Sequence, residues 1–173
     1  MADTKSKEDR SKNMAAVRGK DTKPEMIVRK YLFSKGLRFR LHDNKLPGSP
    51  DMVLKKYRTV IFIDGCFWHG HEGCKHFRMP KSNEFFWDQK IRKNKARDIA
   101  NEYVLQTKGW RVIRIWECEI NNISNRKEAL DSLYTHIVIS NKSYETSIPS
   151  IDIAAEPEEG YIKIHEDRYK VNL

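Results

Sequence analysis

The chain of 173 residues reads as an α/β protein, a mixed central sheet flanked by helices with a structural metal site beside it. Three observations predict this. Val60-Ile61-Phe62-Ile63 is a short, wholly apolar run of strand-forming residues, the mark of a buried strand. Helical and extended patterns alternate along the chain instead of segregating into blocks. Cys66, His69, His71, Cys74 and His76 crowd the end of the buried strand, with Phe67 and Trp68 set among them. A bland surface loop has no use for that density of metal-ligand side chains.

The elements follow in order. Residues 1–20 are basic and polar, with Met14, Ala15, Ala16 and Val17 as their one apolar cluster. That is too little apolar surface to fold alone, and predicts a flexible or partly helical arm that orders on a partner. Thr22-Lys23-Pro24-Glu25 opens a helix: Thr22 caps it, Pro24 lies in its first turn, and Glu25 completes a capping box. Met26, Ile27, Val28, Tyr31 and Leu32 form its apolar face, and Gly36 stops it. Leu37 to His42 alternates apolar and basic residues, a half-buried strand. A loop with Pro47, Gly48 and Pro50 leads to Asp51 and a short strand through Leu54. Residues 55–58 turn the chain into the buried strand, 59–63. Residues 83–108 form a long helix between Asn83 and Gly109, with Trp87, Ile91, Asp98 and Leu105 on one stripe. Asp98 is the one carboxylate in that apolar stripe, which implies a partner for it. Trp110 to Trp116 is a strand that delivers Cys118 at its end, and residues 126–140 form an amphipathic helix. Beyond 141 the chain turns polar and acidic, with a small hairpin expected over 161–171.

Charge sharpens the division. Residues 1–118 hold 27 Lys/Arg and 14 Asp/Glu, whereas 119–173 hold 6 and 10. The basic part coincides with the ligand-rich part and points to a polyanion, nucleic acid before membrane. No apolar run reaches 18 residues, which excludes a spanning helix, and the polar N-terminus is no secretion signal, so a cytoplasmic location is expected. The chain divides into a flexible basic arm (1–20), a folded domain that carries the ligand-rich stretch (21–140) and a variable acidic extension (141–173).

Three cysteines, an odd number without a signal peptide, argue for metal binding over disulfides. Cys66, His71, Cys74 and Cys118 give C-x4-H-x2-C and a distant fourth ligand, a set that suits a closed structural zinc site. His69 and His76 are rival ligands. If His71 holds zinc, His69 is left on a rigid loop, with a side chain suited to a general base that activates water. Asp51 is a hard oxygen ligand suited to Mg²⁺, and Asp98 could orient the imidazole or bind a metal-bound water. One acid, one metal, one histidine and positive charge suffice for phosphodiester hydrolysis. Phe67, Trp68 and Trp87 could wedge between base pairs, most easily at a mismatched step; for Trp87 the helix's apolar stripe is the competing role.

The order helix, strand, loop, Pro50-Asp51, strand, turn, buried strand resembles the core of the restriction-endonuclease-like nucleases. There, a second acid stands on the next strand, here the Ile63/Asp64 region, followed by a Lys base that this chain lacks. Over residues 10–118 the chain resembles, more closely, the very short patch repair endonucleases, the Vsr DNA mismatch nicking enzymes. The motifs are Arg10-Ser11-Lys12-Asn13-Met14, Thr22-Lys23-Pro24-Glu25, Leu46-Pro47-Gly48-Ser49-Pro50-Asp51, Phe62-Ile63-Asp64-Gly65-Cys66-Phe67-Trp68-His69, Phe86-Trp87 with Lys90-Ile91 and Asn94, Arg97-Asp98, Gly109-Trp110-Arg111-Val112 and Trp116-Glu117-Cys118.

The resemblance implies a restriction-endonuclease-like core and Mg²⁺-dependent nicking of one strand, 5′ to the mispaired T of a T·G mismatch left by deamination of 5-methylcytosine. Asp51 and the Ile63 carbonyl would ligate Mg²⁺, His69 would be the general base, and Asp98 and Glu25 would assist around the metal waters. Cys66, His71, Cys74 and Cys118 would hold structural zinc. Phe67, Trp68 and Trp87 would intercalate, with the arm around Met14 on the minor-groove side. The partners implied are double-stranded DNA with a T·G mismatch, a cytosine-5 methyltransferase by functional association, and general mismatch-repair proteins. The protein would act as a monomer in the bacterial nucleoid. The chain departs from the best-known members at Asp64, where they carry His, at His69-Gly70-His71-Glu72, where they carry a run of histidines, and by one extra residue before Cys74. Asp64 could restore the second acid of the wider superfamily and ligate metal. Two other readings compete: a restriction-type nuclease cutting both strands of matched DNA, and a zinc-stabilised DNA-binding protein without activity.

Overall fold

The computed structural model describes residues 6–144, and of residues 7, 10, 11, 13 and 140–144 the backbone alone. The hairpin expected over 161–171 lies outside the described residues. Helix α1 spans Lys7–Ala15, α2 Lys23–Ser34, α3 Glu84–Thr107, α4 Glu117–Asn121 and α5 Ile123–Tyr144. Strand β1 is Arg40–Leu41, β2 Met52–Leu54, β3 Thr59–Asp64 and β4 Arg111–Trp116. The sheet runs β1-β2-β3-β4, antiparallel at its first two junctions and parallel between β3 and β4.

Strand periodicity sorts the core. Met52, Leu54, Ile61, Ile63, Ile113 and Ile115 point to one face, where Val28 and Leu32 of α2, Ile120 of α4 and Leu130, Leu133 and Ile137 of α5 cover them. Val53, Val60, Phe62 and Val112 point to the other and meet Leu105 of α3. A sheet covered by helices on both faces has strands that read as continuous apolar runs, and β3 does.

Local chemistry sets the boundaries. Thr22 caps α2 through its hydroxyl, and Glu25 returns the bond to the Thr22 backbone N–H, a complete capping box. Gly109, at φ +73°, closes α3 in the left-handed region. The strand expected over 37–42 is ordered as a ladder only at Arg40–Leu41. Leu37 is buried against the core instead, so its alternation reflects packing without pairing. Cys118 lies two residues past the end of its strand, inside α4. The segment expected to be a flexible or partly helical arm includes helix α1, capped by Ser6, whose hydroxyl accepts from the Asp9 N–H.

The β2–β3 ladder ends at Met52 and Ile61. Pro50 has no N–H to extend it. The strands part there, and a side chain takes the place of the missing ladder bond: Asp51 Oδ2 accepts from the Ile63 N–H at 2.7 Å.

Candidate active site

A cavity of about 580 Å³ opens where β2 and β3 part, lined by Asp51, Ile63, Asp64, Trp68, His69, Glu25 and His42 among others. Val17 to Lys20 lie along its rim. Asp51 reaches it from the start of β2. Burial raises the Asp51 carboxyl to about 6, with the nearby Glu25 adding to the rise, against the lowering effect of the Ile63 N–H. A carboxylate this reluctant to stand alone is suited to a cation.

His69 sits on the loop after β3. Its Nδ1 lies 2.5 Å from Asp98 Oδ2 on α3, and Arg97 Nη2 lies 3.2 Å from the other oxygen of Asp98. A carboxylate at Nδ1 assigns the proton to that nitrogen and leaves Nε2 as an acceptor. Asp98 in the apolar stripe of α3 therefore has its partner. Asn94, buried on the same helix, donates from Nδ2 to the Trp68 carbonyl at 2.8 Å and pins the loop just before His69. Gly70, at φ +61°, lets the loop lie directly on α3.

Asp64 shares its face of β3 with Val60 and Phe62, towards α3. It is 4% exposed and is held by Arg114 of β4, whose side chain projects on the same side because Phe62 and Arg114 are paired in register. Its other oxygen is 3.8 Å from His69 Nε2. Asp64, expected next to the catalytic metal, is paired with an arginine and set beside the histidine. Glu25 is saturated: it accepts from the Asp21 and Thr22 N–H groups, the Thr22 hydroxyl and Arg29 Nη2.

The loop and α4 bring Cys66, His71, Cys74 and Cys118 together, their ligand atoms all within 4.8 Å of one another. His71 Nδ1 is 3.4 Å from Cys66 Sγ and 3.6 Å from Cys118 Sγ. Its ring stacks on Trp116 at 4.0 Å, and the Cys66 N–H donates to Glu117 Oε1 at 2.9 Å. Burial pushes the Cys66 and Cys118 thiols above the ordinary range. Three sulfurs and one imidazole nitrogen, the last braced by a stacked ring, form a donor set that could hold a tetrahedral metal ion. His69 is turned to Asp98, and His76 gives the cluster only its backbone N–H, donated to Cys74 Sγ at 3.4 Å.

Phe67, Trp68 and Trp87 form a triangle of edge-on rings with centroids 5.1–6.0 Å apart, extended outward by Phe86, itself 58% exposed. Met14, at the end of α1, is also exposed. The residues that sequence reasoning missed are Arg29, His42 and Arg114. For His42 and Arg114 the neighbours are set by cross-strand register and by helix–sheet contact, so the linear spacing carries no signal for them; Arg29 stands four residues after Glu25 on α2, a spacing that ordinary surface ion pairs share.

The family model for the DNA mismatch endonuclease Vsr matches residues 2–76. The type II nicking enzyme V.NmeAIP of Neisseria meningitidis serogroup A is 47% identical over 137 residues, 79% of this chain and 97% of that protein. The type II nicking enzyme V.XorIIP of Xanthomonas oryzae pv. oryzae is 48% identical over 123 residues, 71% of this chain and 90% of that protein. The DNA mismatch endonuclease Vsr of Escherichia coli is 47% identical over 120 residues, 69% of this chain and 76% of that protein. A cleft holding a carboxylate and a carboxylate-oriented histidine, in a chain this similar to nicking enzymes along nearly their whole length, leads to one conclusion: the chain belongs to the Vsr DNA mismatch endonuclease family and is a DNA endonuclease.

Proposed function

We propose that this endonuclease has the restriction-endonuclease-like core of its superfamily, requires Mg²⁺, and nicks one strand 5′ to the mispaired T of a T·G mismatch. The observation that carries the reading is the His69–Asp98 pair, whose free Nε2 opens on the same cavity as Asp51. Asp51 and the Ile63 carbonyl would hold the divalent ion, which when bound neutralises phosphate charge and makes a water more acidic. The fixed orientation of Asp51, and the resistance of its buried carboxyl to ionisation, fit that role.

His69 Nε2 takes the proton of the attacking water, and Asp98 holds the ring in the tautomer that allows it. Asp64, beside Nε2, balances the positive charge the ring gains, and Glu25 supports the acidic wall behind Asp51. Cys66, His71, Cys74 and Cys118 would hold zinc and brace the loop that carries His69. Phe67, Trp68 and Trp87 enter the base stack, where a mismatched step costs least to open, and Met14 approaches from the opposite groove. The substrate arises when 5-methylcytosine deaminates, which links the protein to a cytosine-5 methyltransferase. General mismatch-repair proteins are further partners, and an asymmetric mismatch calls for a monomer only.

Duplexes with one T·G mismatch, and matched controls, test this with and without Mg²⁺. The expected product is a single nick in the mismatched duplex, lost in Asp51→Ala and His69→Ala. Linear product from matched DNA would overturn the nicking reading, and full activity in Asp51→Ala would overturn the assigned centre.

A further inference from the structure

Behind Asp51 lies a second cluster with the composition of a metal site. Ligand atoms of Asp21, Glu25 and His42 all lie within 4.8 Å of one another. A cation already stands among them. Arg29 Nη2 is 2.6 Å from Glu25 Oε2 and 2.8 Å from His42 Nε2, and its Nη1 is bound by Asp21. Both Arg29 and Glu25 are buried, at 7% and 3% exposed, so this is a built arrangement and no surface pairing. The guanidinium has no acceptor, so the contact with His42 makes Nε2 the acceptor and puts the ring's proton on Nδ1. That nitrogen faces Asp51 Oδ1 at 3.8 Å.

The backbone has been bent to hold this ring. His42 follows β1 directly, its N–H donates to the Asp51 carbonyl, and it adopts φ +45°, a left-handed conformation that an unbranched residue other than glycine seldom takes without cause. Cross-strand register and backbone conformation together set the imidazole between Arg29 and the carboxylate that opens the cleft.

We propose that Arg29 is a built-in cation at the edge of the active site: its guanidinium fills the place that Asp21, Glu25 and His42 would otherwise give to a second divalent ion. That cluster therefore takes no divalent ion of its own, leaving Asp51 to hold the ion, and His42 is a positioning residue for that carboxylate. This rests on the reading of Asp51 as a metal ligand, and the experiment separates the two.

Mn²⁺ binding to the zinc-loaded protein, followed by calorimetry and electron paramagnetic resonance, should give one ion per chain, absent in Asp51→Ala. If Asp51→Ala keeps its ion, the assignment of Asp51 fails and the count says nothing against Arg29. With the guanidinium removed, Arg29→Met should take up a second Mn²⁺, lost again when His42→Ala is added, whereas Arg29→Lys should return the count to one. His42→Gln, in the otherwise natural chain, should keep one ion but weaken its binding about tenfold, as loss of an outer contact to a ligand does. Two ions in the natural chain, falling to one in His42→Gln, would overturn the proposal without recourse to an Arg29 variant. So would a folded Arg29→Met protein that still binds a single ion.

Discussion

Asp51 carries a stability cost that the pH dependence exposes. Its carboxyl titrates at about 6 in the fold against an ordinary value of 3.8, so the fold holds its proton more tightly than the open chain does. For a group raised in this direction the favourable contribution is complete below pH 3.8 and is lost as pH rises through 6. Each unit of such a shift corresponds to about 1.4 kcal/mol, so ionising Asp51 without a cation costs the fold about 2–3 kcal/mol above pH 6. Asp51→Asn keeps an oxygen for the Ile63 N–H and has no charge to bury. With no divalent ion added, it should unfold at higher denaturant than the natural protein at pH 8, by about 1–2 kcal/mol, with the two converging at pH 4. Added Mg²⁺ should stabilise only the natural protein. A variant no more stable than the parent at pH 8 would show that the Ile63 N–H and the nearby cations already offset the burial. Asp51, His69 and the four Cys and His residues, which the structure gathers at one cavity and one cluster, were legible as candidates because their residue types suit such chemistry at any spacing. Arg29 and Arg114 were not, because an arginine in a basic chain is unremarkable until tertiary contacts place it against His42 or Asp64.

The loop between β3 and α3 is the element on which the site depends, and it is held by close contact with α3 at Gly70 and by the Cys/His cluster on either side of that glycine. A Cβ on Gly70 would fall 2.5 Å from Lys95 Cε and 2.7 Å from Ile91 Cγ2, at a backbone φ of +61°. Lysine can swing aside, but Ile91 is buried in the helix interface and cannot. Gly70→Ala should therefore cost about 1–3 kcal/mol in denaturant unfolding and lift the loop from α3, with nicking reduced by about two orders of magnitude through displacement of the neighbouring His69. Equal loss of stability with unchanged nicking would mean that Asn94 alone fixes the loop. In the cluster, Cys118→Ser removes the thiol contributed by α4. About one zinc per chain should disappear from metal analysis, with the melting temperature lowered. An unaltered zinc content would refute the ligand set. Of the elements themselves, β3, β4 and α3 were legible because length and apolar pattern agree there. β1 was overextended because Leu37 and Phe39 alternate with arginines for reasons of core packing, not pairing. The start of α5 was read three residues late because Ile123, 79% exposed, contributes nothing to the apolar pattern that marks a helix.

At the scale of the whole molecule, the arrangement sets two carboxylates on one cavity at the end of β3: Asp51 where β2 parts from it, and Asp64 on the strand itself, with the parallel partner β4 supplying Arg114 to the second. The charge along the chain is just as divided. Residues 145–173 contain seven acidic and three basic residues, so without them the formal charge rises from +9 to +13. One compact unit ends at residue 142, so the chain without this segment keeps that unit whole. Deleting 145–173 should leave the melting temperature and the single-turnover nicking rate unchanged at saturating enzyme. Affinity for DNA should rise, because four net negative charges no longer oppose the phosphate backbone. Exposed charges act within about 10 Å at 0.1 M salt, so the gain should be several-fold near 50 mM salt and shrink to little above 300 mM. The dependence of affinity on salt should steepen in the shortened protein, since more of its cations are free to displace counterions. Measured by titration of a labelled T·G duplex across salt concentrations, parallel lines for the two proteins would place the segment outside the field of the DNA, and a lowered melting temperature would assign it to the fold.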